Sequence, residues 1–388
     1  MSQFDFPLAT TTWNEKEYQA LQDVIDSGMF TMGPKVKEFE YQFSELMGSR
    51  FSVMVNSGSS ANLLMIAALF YSKTNALKAG DEVIVPAVSW STTYYPLYQY
   101  GLKIKFVDID LETLNFNLNA LRKAVTDKTK AILAVNLLGN PNDFDSIQEI
   151  IGDRNIQLLE DNCESMGAVY KHRMAGTFGI MGTFSTFFSH HISTMEGGMI
   201  TTDDEELYHI LLSIRSHGWT RHLPKENLVT GSKSDNSFEE SFRFVLPGYN
   251  VRPLEMSGAL GIEQLKKLPD LIKMRRKNGD CFQSMLSNHS DILIQQEIGE
   301  SSWFGFSLII RPESKLTRSV LIEKLNSVKI ESRPIVTGNF AKNEVCKYFN
   351  SEVSGELKNA DWIDQNGLFI GNQHYDINKM FSLLKSIL

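Results

Sequence analysis

The segment Thr186–Thr202, TFFSHHISTMEGGMITT, places His190 and His191 ahead of a Glu196–Gly197–Gly198 turn that opens a short apolar strand. Imidazole takes up and releases protons near neutral pH, so a histidine here is a candidate acid and base. No lysine occurs between His172 and Pro224. In LLEDNCESMGA, Asp161 ends an apolar run and Glu164 follows three residues later. Two acids that close call for a cation or a shared proton, and a protonated pyridine nitrogen would supply that cation. In VNSGSSANLLMIA, Gly58 allows a tight turn and Ser59, Ser60 and Asn62 open a helix. Free N–H groups, the positive dipole end and hydroxyls suit an anion there, although N-capping by serine alone also explains the segment. Trp90, in PAVSWSTTYYPL, could lie flat on a planar ring or serve as a rim aromatic. Asn250 and Arg252, in GYNVRPLEMSGALG, are two long-reach polar groups in one turn before a helix, with Pro253 read as its first turn.

These residues need a frame that brings them together. Strand candidates FSVMV, DEVIVPA, KIKFVDI, KAILAVN, IQLLED, GTFSTFF and GMITT alternate with amphipathic stretches between Phe51 and Thr202. Strands apolar throughout and separated by helices imply a mostly parallel sheet covered on both faces, with ligands beyond the strands' carboxyl ends. A helix near Asp204–Ser216 and a polar, loop-rich section follow. A long basic helical stretch comes next, then strands at WFGFSLII and KIESRPIV with a helix between them. The expected class is α/β, with a large domain over 1–254 that includes an N-terminal arm, and a smaller α+β domain over 255–388.

With 388 residues, 42% hydrophobic and 22% charged, the composition is that of an ordinary globular protein of two domains. A net charge of −8 argues against nucleic acid and against an anionic membrane surface. The opening MSQFDFPLATTTWNEKEY lacks a basic, then apolar leader pattern, and the greasiest run, SANLLMIAALFY, is too short to span a bilayer. The expected location is the cytoplasm. Three scattered cysteines, Cys163, Cys281 and Cys346, form neither a disulfide framework nor a metal cage, and cannot hold a four-thiolate iron–sulfur cluster.

In order and spacing these motifs resemble the sugar aminotransferase–dehydratase branch of the fold-type I (aspartate aminotransferase-like) enzymes of pyridoxal 5'-phosphate (PLP), over nearly the whole chain. The resemblance implies that the Gly58–Ala61 turn, with Ser59, binds the cofactor phosphate and that Asp161 pairs with the pyridine nitrogen. It implies that Trp90 stacks on the ring and that Ser185, five residues before the catalytic position, touches the phosphate. Glu164 belongs to the same cofactor-binding set. The Gly248–Asn250 segment would come from a second subunit, making a homodimer with shared active sites.

Family aminotransferases carry a lysine six residues before the Glu of Glu-Gly-Gly, and here that position is His190. Lysine forms an imine with PLP and shuttles the proton, whereas imidazole can do only the second. A non-covalent cofactor, resting as pyridoxamine 5'-phosphate (PMP), follows. One subgroup of nucleotide-sugar 3-dehydratases has this replacement. Similarity to it implies loss of the 3-hydroxyl from a GDP-linked 4-keto-6-deoxy sugar, release of ammonia, and regeneration of PMP by L-glutamate with 2-oxoglutarate as product. The iron–sulfur-dependent type of sugar 3-dehydratase is disfavoured by the cysteine count. Spacing favours His190 over His191, which receives a structural or secondary role. Ser189 could orient the imidazole or be a plain turn hydroxyl. His217, Trp219, Arg221, Arg252 and Arg333 are candidates for the donor sugar or the glutamate carboxylate on charge or shape alone. The alternatives are a nucleotide-sugar aminotransferase with another base and a non-catalytic protein of the same fold.

Overall fold

The computed structural model describes residues 4–388. Residues 1–3, which begin the stretch read as lacking a leader, lie outside the described residues. Seven strands of the large sheet lie between Phe51 and Thr202: β1 (Phe51–Val55), β2 (Glu82–Pro86), β3 (Lys103–Val107), β4 (Thr129–Val135), β5 (Gln157–Asp161), β6 (Met181–Ser185) and β7 (Gly198–Thr202). With β11 (Ser351–Val353) they make one eight-stranded sheet in the order β1-β7-β6-β5-β4-β2-β3-β11. All neighbours are parallel except β7, which runs antiparallel to both β1 and β6. The burial of β2, β6 and β7 at every residue explains why these strands read as continuous apolar runs instead of alternating ones.

Helices α1 (Glu15–Ser27), α2 (Pro34–Met47), α3 (Gly58–Tyr71), α4 (Ser91–Gln99), α5 (Leu118–Ala124), α6 (Phe144–Ile151) and α7 (Glu205–Ile214) accompany this sheet. The caps follow the local chemistry. Ser57 accepts from Ser60 N at 3.1 Å to start α3, and Asp204 accepts from Glu206 N and Leu207 N to start α7.

Helix α8 (Glu255–Leu286) packs its first half on α1 and α2. Beyond it lies a second sheet of β8 (Ile292–Leu293), β9 (Gly305–Ile310), β10 (Ser332–Arg333) and β12 (Gly367–Gly371), in the order β8-β9-β12-β10. Its core, built on Phe282, Phe306, Leu321, Ile370 and Leu384, is distinct from that of the large sheet. The chain start is tied to this unit, since Phe6 bridges Ile330 and Leu8 N donates to Glu331.

Three expectations need correction. The strand expected through Phe188 stops at Ser185: Thr186 N still reaches Gly197 O, but Thr186 O is taken by Thr194 N, which closes the histidine-bearing loop. The strand expected over KIESRPIV is only Ser332–Arg333, since Pro334 cannot donate to a ladder. Helix α8 begins at Glu255, so Pro253 precedes it and does not occupy its first turn.

Candidate active site

The carboxyl ends of β1, β2, β4, β5 and β6 converge on one cavity of about 250 Å³. Strand pairing sets the assembly. Gly198 pairs with both Val55 and Ser185, which brings the turn after β1 against the loop that carries the histidines. Only glycine fits there: a Cβ on Gly198 would lie 2.8 Å from Gly58 N. A Cβ on Gly58 would lie 2.7 Å from the Cβ of Ser185. The N-terminus of α3 therefore opens onto a cradle that a side chain would fill, with Ser59 and Ser185 at its rim.

Asp161 is buried and its carboxylate is fully oriented. Oδ2 accepts from Asn62 Nδ2 at 2.8 Å and from Thr93 Oγ1 at 2.8 Å, and Oδ1 accepts from Cys163 N at 3.1 Å. Asn62 is itself held by Thr183 Oγ1 at 2.6 Å. A carboxylate fixed by three donors in the floor of a cavity is positioned to face a cation. Glu164 lines the same cavity and accepts from Leu138 N at 3.1 Å. Burial pushes its carboxyl up to about 7, helped by the charge of Asp161 and opposed by Leu138 N–H and Arg333. The crowding of two acids is thus relieved partly by a group poised to hold a proton near neutrality.

His190 lines the same cavity as these acids. Its Nδ1 is covered and has no hydrogen-bond partner, which leaves Nε2 as the ring nitrogen open to the cavity. Burial, then the charges of Arg333 and Arg275, pushes the imidazole down to about 3, so the neutral, proton-accepting form prevails at physiological pH. His191 points away. It is fully buried, and Nε2 sits 3.1 Å from Ser302 O.

The structure brings Gly58, Ser59, Trp90, Asp161, Glu164, Ser185, Ser189, His190 and Arg333 to this cavity. Arg333 arrives from β10 of the second sheet, its guanidinium over the Phe369 ring at 4.5 Å. No hydrogen bond joins Ser189 to the His190 ring among the described residues, in keeping with a turn hydroxyl. His217, Trp219, Arg221, Asn250 and Arg252 do not line the cavity of their own chain. Arg221 instead lies over the Trp219 ring at 3.8 Å, Trp219 stacks on Phe244, and Arg252 Nε donates to the exposed Asn250. Thr93, Cys163 and Phe304 were not singled out by sequence, yet they touch Asp161 or line the cavity. Thr93 carries a faint signal, one turn beyond Trp90 at the start of α4; Phe304 carries none. No lysine lines the cavity among the described residues.

A family model for the DegT/DnrJ/EryC1/StrS aminotransferases matches residues 11–374. The chain belongs to this family. It is 63% identical over 385 residues, 99% of each chain, to GDP-4-keto-6-deoxy-D-mannose 3-dehydratase of Escherichia coli O55:H7. A solved structure of the E. coli GDP-4-keto-6-deoxy-D-mannose 3-dehydratase with bound hydrated PLP superimposes with a TM-score of 0.99, at 63% identity and 100% coverage of both chains. Another, of GDP-4-keto-6-deoxymannose 3-dehydratase with a trapped PLP–glutamate geminal diamine, gives 0.98 at 63% identity, covering 99% of this chain and 100% of the other. The expected fold is the one observed.

Proposed function

We propose that the protein is a PMP-dependent dehydratase that removes the 3-hydroxyl of GDP-4-keto-6-deoxy-D-mannose, releasing ammonia and a GDP-linked 4-keto-3,6-dideoxy sugar, with L-glutamate restoring PMP. The single observation that carries this reading is one cavity lined by Asp161, Glu164 and His190 and, among the described residues, by no lysine. The full-length similarity to enzymes of that name supports it.

The cavity suits the cofactor. The glycine-lined cradle at the start of α3, with Ser59 and Ser185, takes the phosphate. Asp161, held by Asn62, Thr93 and Cys163 N, would keep the pyridine nitrogen protonated, and Trp90 would stack on the ring. When bound, the cofactor supplies an amine that condenses with the sugar ketone and a conjugated system that accepts electrons. Nε2 of His190 takes up a proton from the reacting centre and gives it to the departing 3-hydroxyl, so that water leaves without a strongly basic leaving group. Imidazole cannot hold the cofactor as a lysine would, and the cofactor stays non-covalent. Glu164, its carboxyl pushed up to about 7 by burial, is a group in the cavity that can hold a proton near neutrality. Arg333 offers a fork to the glutamate carboxylate or the diphosphate.

We place the division between the two units at 254/255, where α8 begins, and take the working form to be a homodimer. The exposed aromatic residues Trp90 and Phe187 at the cavity, and the exposed Phe242 and Phe244 packed on Trp219, support a partner surface. In that dimer Asn250, with His217, Arg221 and Arg252 near it, serves the partner's cavity. The enzyme acts on small molecules in the cytoplasm, without nucleic acid, a membrane or an iron–sulfur cluster; among the described residues no helix is long and apolar enough to cross a membrane.

Mass spectrometry of the sugar formed from GDP-4-keto-6-deoxy-D-mannose, PLP and glutamate tests the reading. A product lacking the 3-oxygen is expected. A 4-amino sugar would make the protein an aminotransferase.

A further inference from the structure

The segment Ser301–Phe304 crosses from the second unit to the cavity, and each of its carbonyls has a donor. Ser301 O accepts from Arg276 Nε at 3.0 Å. Trp303 O accepts from Asn372 Nδ2 at 2.9 Å, and Phe304 O from Arg275 Nη1 at 3.2 Å. Ser302 O is met by His191 Nε2, at 3.1 Å. A carbonyl cannot donate, so His191 carries its proton on Nε2; its Nδ1 is buried without a partner. The segment holds a tight shape, with Trp303 buried and at a φ of +46°. Its last residue, Phe304, lines the cavity, and its ring lies 5.2 Å from the His190 ring and 5.7 Å from that of His191.

We propose that His191 is a positioning residue for His190, acting through the Ser302 carbonyl and the Phe304 ring. The proposal rests on His190 being the acid and base of the reaction above. His190 Nδ1 has no hydrogen bond to orient the ring, so packing has to do so, and Phe304 is the aromatic that touches both histidines. Phe304 in turn is held by Leu138 O, which its N–H meets at 3.0 Å, and by the neighbouring Ser302–His191 bond. The tandem histidine thereby has two jobs. One residue moves protons, and the next anchors the wall that aims it.

The test compares His191→Leu, which removes the donor, with His191→Gln, whose amide can still reach Ser302 O. Misaiming a catalytic group costs up to about 100-fold, so His191→Leu should lose on the order of 10-fold in kcat with KM for the nucleotide sugar nearly unchanged. His191→Gln should recover most of the loss. Phe304→Leu should reproduce it, which keeps the proposal testable if His191→Leu fails to fold. A second readout does not use turnover. In the unloaded protein, histidine-selective 15N spectra should show His191 as the Nε2–H tautomer, and the His190 signals should shift in folded His191→Leu or in Phe304→Leu. Full kcat in His191→Leu, equal damage in the Leu and Gln variants, or unmoved His190 signals would overturn the proposal. If wild type forms no deoxy sugar while the His190 signals still respond, the proposed reaction fails and the anchoring stands.

Discussion

His190 occupies the place where a lysine would give the cavity a different chemistry. His190→Asn keeps shape but not the titrating nitrogen. General acid–base catalysis contributes roughly 10²–10⁴-fold, so the variant should lose at least about 100-fold in dehydration while its affinity for PMP, read by fluorescence titration, stays close to wild type. His190→Lys should give the reverse pattern: borohydride followed by proteolysis should yield a cofactor-bearing peptide from the variant and none from wild type. Asp161→Asn removes the anion that three donors hold in place and should cripple both the glutamate and the sugar half-reactions; equal turnover would reduce Asp161 to a cap. Protons also enter stability. His190 is pushed from its usual 6.5 to about 3, so the unfolded chain binds a proton that the folded one refuses, and the stability it contributes is lost as pH falls below 6.5 toward 3. Glu164 works in the opposite sense. Its rise from 4.5 to about 7 gives stability present at low pH and lost as pH climbs through 7. In urea midpoints of the unloaded protein, His190→Asn should flatten the acid fall, and Glu164→Gln should flatten the loss toward pH 7.

β7, the one antiparallel strand of the large sheet among the described residues, is the element that makes the site. It returns the chain from the histidine loop directly beside β1, and Gly198 seats that return against the turn at Ser57 and Gly58. Gly198→Ala should push the two apart and weaken cofactor binding by on the order of 10-fold, measured by PLP titration; unchanged affinity would mean that the contact yields freely. Much of this frame was legible in the sequence, because a strand covered on both faces has to be apolar throughout, and FSVMV and GMITT are β1 and β7 without adjustment. Asp161, Trp90 and Gly58 could be singled out because each sits at a strand end or helix start, and His190 by its spacing to Glu196–Gly197–Gly198. Arg275 could not. It lies in a basic run that reads as a solvated face, but it is buried against the carbonyls of Trp303, Phe304 and Asn372. Contacts across such separations leave no local pattern. Charge alone likewise chose Arg221 and Arg252 without indicating that their own chain keeps them out of its cavity.

Two copies of the chain should be needed for one working cavity, since Asn250 is exposed and lies outside the cavity of its own chain. Co-expressing His190→Asn with Asn250→Ala, each inactive alone, should restore roughly a quarter of wild-type activity, because half of the dimers are mixed and each has one intact cavity. No recovery would leave each chain self-sufficient. For the reaction as a whole, the decisive quantity is the fate of the nitrogen that glutamate donates. With GDP-4-keto-6-deoxy-D-mannose, PLP and glutamate, an enzyme whose cavity offers His190 and no lysine should release free ammonia in step with the 2-oxoglutarate formed. Nitrogen retained on the sugar, with no ammonia released, would contradict that chemistry.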